Sequence, residues 1–281
     1  MKLVRYGEKG AEKPGLLDPE GAIRDLAGTI PDLAGDVLSE SGLKRLRALD
    51  WKSLPKVPGT PRLGPPVARP LKYFCIGLNY ADHAAETGSA IPKEPVVFLK
   101  SLGAYSGPND EVHMPRGSKK TDWEVELGVV IGRDAHYVAE SDALGYVAGY
   151  CICNDVSERE FQLERGGLWD KGKGCDTFAP TGPWLVTRDE VPDPQALEMW
   201  LEVDGTRMQH GNTRTMIFGV ASLLSYISRM MTLHQGDIIS TGTPPGVGHG
   251  KKPHPIFLKS GQTMRLGIAG LGEQQTRVVA D

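Results

Sequence analysis

No run of about 18 apolar residues occurs in this 281-residue chain, so no helical membrane span is expected. No signal-peptide pattern is apparent, which leaves no reason to expect an oxidising compartment. The four cysteines, Cys75, Cys151, Cys153 and Cys175, contain no CxxC pair. That spacing argues against a structural zinc site and for reduced, packed thiols in a cytoplasmic protein. Long basic runs are missing and the formal net charge is only −3, which disfavours nucleic acid as a partner. Internal repeats and low-complexity tracts are missing too. What remains is ordinary for a globular protein: 40% hydrophobic and 24% charged residues, enough for one large domain or one large and one small.

Residues 1–54 read as a small α+β unit. KLVRYG suggests a strand, GLLDPEGAIRDLAG a hairpin turning at DPEG, and GDVLSESGLKRLRALDW a helix with leucines at helical spacing. Prolines at positions 55, 58, 61, 65, 66 and 70 make residues 55–70 an extended linker, unable to hold a helix or a central strand. Residues 71–281 are dominated by short strand patterns: YFCIGLN, PVVFLKS, WEVELGVVIG, GYVAGYCICND, GPWLVT, LEMWLEVDG, DIISTG and TMRLGIAG. Helices are expected near YADHAAE and SEREFQLER. A third, apolar nearly all round, is expected at IFGVASLLSYISRMM. A mainly β fold with some α follows, rather than a doubly wound βαβ architecture.

The stretch TDWEVELGVVIG carries two glutamates inside an apolar segment. Residues two apart share one face of a strand. Trp123, Val125, Leu127, Val129 and Ile131 then make an apolar face, and Glu124, Glu126, Gly128 and Val130 make the other. On a solvated face the glutamates are ordinary; on a covered face they need a cation, because buried unpaired carboxylates are too costly to keep ionised. Their backbone separation of roughly 6.6 Å lets both side chains reach one ion. Asp155 ends the apolar run GYVAGYCICND, at a strand-to-helix switch. Three carboxylates form an oxygen-rich set suited to Mg²⁺, with Mn²⁺ or Ca²⁺ as substitutes.

Other candidates surround this set. Ser157 and Glu160 have capping-box spacing, which predicts a helix start at SERE. Arg159 and Gln162, three apart, share a helix face that is either exposed or turned to a site. In IGLNYADHAAETG, Asn79 is a candidate cap. His83 and Glu86 are either an exposed pair at a helix end or a carboxylate-supported general base acting on water. Lys171 and Lys173 lie among glycines in WDKGKGCDTFAPTGPW, in a solvated loop or beside the acidic residues. GDIISTGTPPGVG lacks the GK[ST] ending of a P-loop; its tight turn and the Thr243 hydroxyl suit a carboxylate. The HGKKPH that follows reads as exposed loop.

In order, GLNYADHAAE, EPVVFLK, WEVELGVVIG, CNDVSEREFQ, GKGCDTFAPTGP and GDIISTGTPPGVG resemble the motifs of the fumarylacetoacetate hydrolase family over roughly residues 70–281. The resemblance implies a β-sandwich or barrel-like roll behind a small N-terminal α+β domain. It further implies a homodimer, which could pair into a tetramer. It implies that Glu124, Glu126 and Asp155 bind Mg²⁺ or Mn²⁺, and that His83 and Glu86 activate water on a short lid helix. Lys173 matches the family's catalytic lysine, and Arg159, Gln162 and Thr243 match positions near the substrate.

The expected reaction is hydrolysis of a 2,4-diketo acid at C3–C4, with Mg²⁺ and Lys173 stabilising the departing pyruvate enolate. FLKSLGAYSGPNDEVHMP and DKGKGCDTFAPTGPW look most like the bacterial sugar-acid members. That implies 2,4-diketo-3-deoxy-L-rhamnonate or the L-fuconate analogue, cleaved to pyruvate and lactate. Oxaloacetate decarboxylation, isomerisation of unsaturated 2-oxo diacids and ureidoglycolate lysis stay open on the same platform. A 2-oxo-acid binding protein without turnover is the non-enzymatic alternative.

Overall fold

The computed structural model describes residues 1–88 and 90–281. Its N-terminal segment forms β1 (Lys2–Tyr6), the hairpin strands β2 (Lys13–Leu17) and β3 (Ile23–Asp25), and helix α1 (Glu40–Arg47). Asp18 closes the hairpin at DPEG, its Oδ1 accepting the N–H groups of Glu20 and Ala22 at 3.0 and 2.9 Å. Ser39 caps α1 by accepting the Gly42 N–H at 3.0 Å, and Leu43 and Leu46 turn inward. In the proline-rich segment, the two proline-free residues of β4 (Leu63–Gly64) pair with β1.

The chain continues through β5 (Tyr73–Gly77), α2 (Ala81–Thr87), β6 (Val96–Leu99), β7 (Tyr105–Ser106), β8 (Val112–Met114) and β9 (Thr121–Asp122). The long strands β10 (Val125–Ile131) and β11 (Val147–Asn154) follow, then β12 (Ser157–Glu158), α3 (Arg159–Leu163) and α4 (Asp170–Lys173). Completing the molecule are β13 (Ala179–Thr187), β14 (Glu198–Val203), β15 (Thr206–Asn212), α5 (Val220–Ser228), β16 (Ile238–Ser240), β17 (Thr263–Ile268) and β18 (Gly272–Ala280). No helix among the described residues is long and apolar enough to cross a membrane.

Eleven strands form one sheet in the order β3-β2-β1-β13-β11-β10-β16-β5-β6, with β4 on β1 and β7 on β13. The N-terminal strands extend this sheet directly, through Lys2 opposite Val186 and Leu3 opposite Leu185. A five-stranded sheet, β15-β14-β17-β18-β8, packs against it. Leu127 and Val129 of the first sheet share one core with Met199, Leu201, Met264 and Leu266 of the second. The fold is therefore mainly β, as expected, and sandwich-like. The large sheet stays open, with β3 and β6 at its edges.

Strand β10 lies between β11 and β16, and all its residues are buried. Near-continuous apolar runs suit such doubly covered strands. Gly128 sits opposite Cys151, and a Cβ there would lie 2.5 Å from Cys153 Sγ and 2.8 Å from Cys151 Sγ. The two thiols occupy the space that the glycine leaves.

Two local expectations are corrected. Ser157 does not open a capping box: Ser157 and Glu158 pair with Asp122 and Thr121, which keeps the chain extended and delays the helix. The cap of α3 is Glu158, whose carboxylate accepts the Glu160 N–H at 3.3 Å, while Ser157 Oγ donates to the Asp155 carbonyl at 2.8 Å. Asn79 does not cap α2 either. Its amide donates to the carbonyls of Phe218 and Thr241 at 3.0 and 2.8 Å, and its Oδ1 accepts the Phe218 N–H at 2.9 Å. It fastens the entry of α2 to two distant segments.

Candidate active site

The register of β10 and β11 gathers the acidic residues. Val125 faces Asn154, so Glu124 and Asp155 meet just beyond the paired strands, where the Asp155 N–H donates to the Glu124 carbonyl at 2.9 Å. One carboxylate oxygen from each of Glu124, Glu126 and Asp155 falls within 4.8 Å of the others. All three side chains are buried; Glu126 is 1% exposed. Three carboxylates this close and this dry repel one another strongly unless positive charge stands among them.

Part of that charge comes from the chain. Lys173 Nζ donates to Glu124 Oε2 at 2.6 Å and to Asp155 Oδ2 at 2.8 Å. Burial opposes the ammonium charge, yet Asp155 and Glu124 hold its pKa above the usual lysine value. Arg159 donates to Asp122 at 2.8 Å, to Glu124 at 2.6 Å and to Gln162 at 3.0 Å. Burial alone would raise the Glu124 pKa; Lys173 and Arg159 outweigh it and bring the pKa down to about 2.

Lys100 completes the set. Its Nζ donates to the carbonyls of Val156 and Lys173 and stands 2.7 Å from Asp155 Oδ1, as an ion pair without hydrogen-bond geometry. Glu126 differs from the other two. It accepts from the Ser240 hydroxyl at 2.6 Å and the Gly242 N–H at 2.9 Å, and among the described residues no cation pairs with it. Burial, then Asp155 and Glu124, push its pKa well above the ordinary carboxylate range.

A hard divalent cation fits this arrangement. The donor set is all oxygen, Asp155 Oδ1 is buried without a hydrogen bond, and Glu126 lacks a positive partner. Glu124, Glu126 and Asp155 would hold such an ion.

Glu124 and Glu126 open onto a cavity of about 290 Å³. Of the nine site residues that the resemblance implies, seven line it: His83, Glu124, Glu126, Arg159, Gln162, Lys173 and Thr243. Asp155 and Glu86 stand behind that lining, each in contact with a residue that reaches it. Glu86 Oε2 lies 3.2 Å from His83 Nδ1 and accepts the Gly246 N–H at 3.0 Å, tying α2 to the loop after β16. Gly246 has φ +105°, and a Cβ there would lie 2.1 Å from the Met208 carbonyl, so only glycine serves that loop. The Thr243 hydroxyl donates to the Val125 carbonyl at 2.9 Å and accepts from Gln209 at 2.8 Å. Its proton is therefore committed within the wall. Lys171, by contrast, reaches the exposed Arg165 carbonyl.

Several contributors escaped the sequence reading. Asp122 is the hub of the rim: besides Arg159 it accepts the N–H groups of Gly248 and His249 at 2.7 and 2.9 Å. Extending the two-residue alternation of Glu126 and Glu124 by one step reaches Asp122. Lys100 ends the apolar strand pattern PVVFLK, where nothing in sequence names its partner. Trp169 covers Gly77, where a Cβ would lie 2.4 Å from the indole, and meets Phe98 edge-on at 5.4 Å. Leu78 holds φ +51°, a strained position for a non-glycine residue, in the turn leading to α2. His249, in the loop read as exposed, is indeed exposed but lines the cavity mouth. A larger cavity of about 820 Å³, between the N-terminal strands and residues 56–61, holds no such acidic cluster among the described residues.

Known proteins match this architecture. The profile described as fumarylacetoacetate (FAA) hydrolase C-terminal matches residues 72–279. A Burkholderia cenocepacia (strain HI2424) protein, provisionally named a hydrolase, is 66% identical over 277 residues, covering 99% of this chain and 98% of its own. The solved fumarylacetoacetate hydrolase of psychrophilic Exiguobacterium antarcticum aligns with TM-score 0.87 at 34% identity, covering 100% of both chains. The maleylpyruvate hydrolase of Sphingobium sp. SYK-6, solved with manganese(II) ion and pyruvate, aligns with TM-score 0.82 at 30% identity, covering 100% of this chain and 99% of its own. With its acidic cluster on β10 and β11 and matches that span nearly its whole length, this chain belongs to the fumarylacetoacetate hydrolase family.

Proposed function

We propose that the protein is a divalent-cation-dependent hydrolase that cleaves the C3–C4 bond of a 2,4-diketo acid. The substrate we assign is 2,4-diketo-3-deoxy-L-rhamnonate or its L-fuconate analogue, and the products are pyruvate and lactate. The observation that carries this reading is the His83–Glu86 pair at 3.2 Å, with His83 lining the same cavity as Glu124 and Glu126. A carboxylate-supported imidazole is what water activation needs; decarboxylation needs none. The manganese and pyruvate of the Sphingobium neighbour support a 2-oxo acid at this position.

Bound by Glu124, Glu126 and Asp155, Mg²⁺ or Mn²⁺ supplies Lewis-acid polarisation of the 2-oxo acid. With Glu86 Oε2 as acceptor for an Nδ1 proton, Nε2 is the basic nitrogen of the His83 ring, the atom assigned to take a proton from water. The water oxygen bonds to C4, and His83 holds the proton. When C3–C4 breaks, its electron pair moves to C3 as the enolate of pyruvate, and C4 leaves as the carboxyl of lactate. The His83 proton then returns to C3. Lys173, with one ammonium N–H not committed to Glu124 or Asp155, faces the developing negative charge. Arg159 fixes Glu124 against Asp122, and Gln162 and Thr243 shape the wall.

The test is pyruvate release by chelator-stripped protein before and after Mg²⁺ is restored. The substrates are the sugar acid, acetylpyruvate and oxaloacetate. We expect metal-dependent pyruvate and lactate from the sugar acid, well ahead of the other two. Fast CO₂ release from oxaloacetate with little diketo-acid cleavage would contradict the reading. His83→Ala should bind metal normally and lose turnover by about 10²- to 10⁴-fold, the usual range for a general base.

A further inference from the structure

The ionised groups around the cavity form one connected chain. Asp122 pairs with Arg159, Arg159 with Glu124, Glu124 with Lys173, Lys173 with Asp155, and Asp155 with Lys100. Glu126 joins through the acidic cluster. All seven side chains belong to buried residues. With Glu126 ionised, as a cation's ligand must be, four carboxylates against three cations leave one negative charge over. A divalent cation turns that into one positive charge, and one substrate carboxylate brings the cavity to neutrality.

Among the described residues, nothing in the remaining lining neutralises a second carboxylate. Lys100 donates to two carbonyls while pairing with Asp155, and the charge of Arg159 is shared between Asp122 and Glu124. Glu86, behind His83, adds negative charge on that side. Beyond the charged residues the walls are apolar: Ile76, Leu78, Phe98, Leu163, Trp169 and Val247. Gln162 and His249 are the neutral polar groups available to a hydroxyl.

We infer that the cavity selects 2-oxo acids bearing a single carboxylate and an uncharged, apolar or hydroxylated tail, and discriminates against dicarboxylates. This rests on reading the cavity as a divalent-cation site for 2-oxo acids. It narrows that reading to one substrate class and removes oxaloacetate and 2-oxo diacids as substrates. The physical basis is that a carboxylate set against apolar walls and buried acidic groups without a partner loses hydration and gains only repulsion.

The experiment is calorimetric titration of Mn²⁺-loaded protein with pyruvate, 2-oxohexanoate and 2-oxohexanedioate. The two six-carbon ligands differ only in their terminal group, and neither has a C4 carbonyl to cleave. We expect pyruvate and 2-oxohexanoate to bind and 2-oxohexanedioate to bind at least about tenfold more weakly, a modest share of the cost of an unpaired charge. A diacid that binds as tightly as the monoacid would overturn the inference and leave the hydrolase reading standing. Failure of all three, pyruvate included, would overturn the 2-oxo-acid reading itself. Leu163→Arg supplies a cation from a half-exposed position in the wall. It should strengthen diacid binding several-fold over wild type; no gain would contradict the charge argument.

Discussion

Two clusters of ionised side chains organise this molecule, and they behave differently despite the same excess of one acid. Near the N terminus, Arg5 lies 2.7 Å from Asp32 and 3.5 Å from Glu12, and Arg62 lies 3.0 Å from Glu12 and 2.6 Å from Asp110. Three carboxylates meet two arginines, one more acid than base, as in the cavity. Here every carboxylate touches a guanidinium, and Asp32 and Arg62 keep 30% and 28% exposure, so water shares the excess charge. In the cavity the excess falls on Glu126, 1% exposed and without a cation among the described residues. Net charge alone therefore does not mark a metal site. Where the unpaired carboxylate sits, and whether water reaches it, does.

The sharpest way to break that contrast is Glu126→Gln. It should abolish metal-dependent turnover and weaken Mn²⁺ binding by more than about 10²-fold, since even residues that merely support metal ligands contribute 10- to 100-fold. The metal-free variant should melt no lower than metal-free wild type, because glutamine brings no ionisable group into the buried cluster and its amide oxygen can accept the same hydrogen bonds. Second comes Lys100→Met, which leaves Asp155 Oδ1 without its positive neighbour. Denaturant unfolding of the metal-free variant should show a loss of about 3–5 kcal/mol, typical of a broken buried pair. Added Mn²⁺ should restore more stability to this variant than to wild type, because the ion stands in for the missing ammonium. The smallest effect belongs to the other cluster. Arg62→Gln should cost about 1 kcal/mol in unfolding and leave kcat/KM and metal affinity unchanged, as expected of partly solvated pairs. A catalytic defect in Arg62→Gln would erase the distinction between the two clusters.

Much of this was legible in sequence because it follows from period-two alternation. Glu124 and Glu126 share a strand face, and Asp155 ends the neighbouring apolar strand, so their meeting needed only that the two strands pair. The hairpin at DPEG and the Ser39-capped helix are local and were readable for the same reason. What was not legible is tertiary. Ser157 has the residue type and spacing of a cap, but pairing with Asp122 claims its backbone first. Asn79 looks like a cap and instead binds Phe218 and Thr241, more than 130 residues away. Lys100 ends an apolar strand with no hint of Asp155, and the thiols of Cys151 and Cys153 make sense only beside Gly128. Pattern within a strand survives folding; a partner from a distant strand leaves no trace in spacing.

The central claim is that the buried acidic cluster is built for one divalent cation. Titrating Mn²⁺ calorimetrically into chelator-stripped protein, wild type beside Glu126→Gln, tests it most directly. The account predicts one ion per chain in the wild type, a higher melting temperature on binding, and the loss of both in Glu126→Gln. Equal binding by the two proteins, or a folded wild type that takes up no ion, would contradict it.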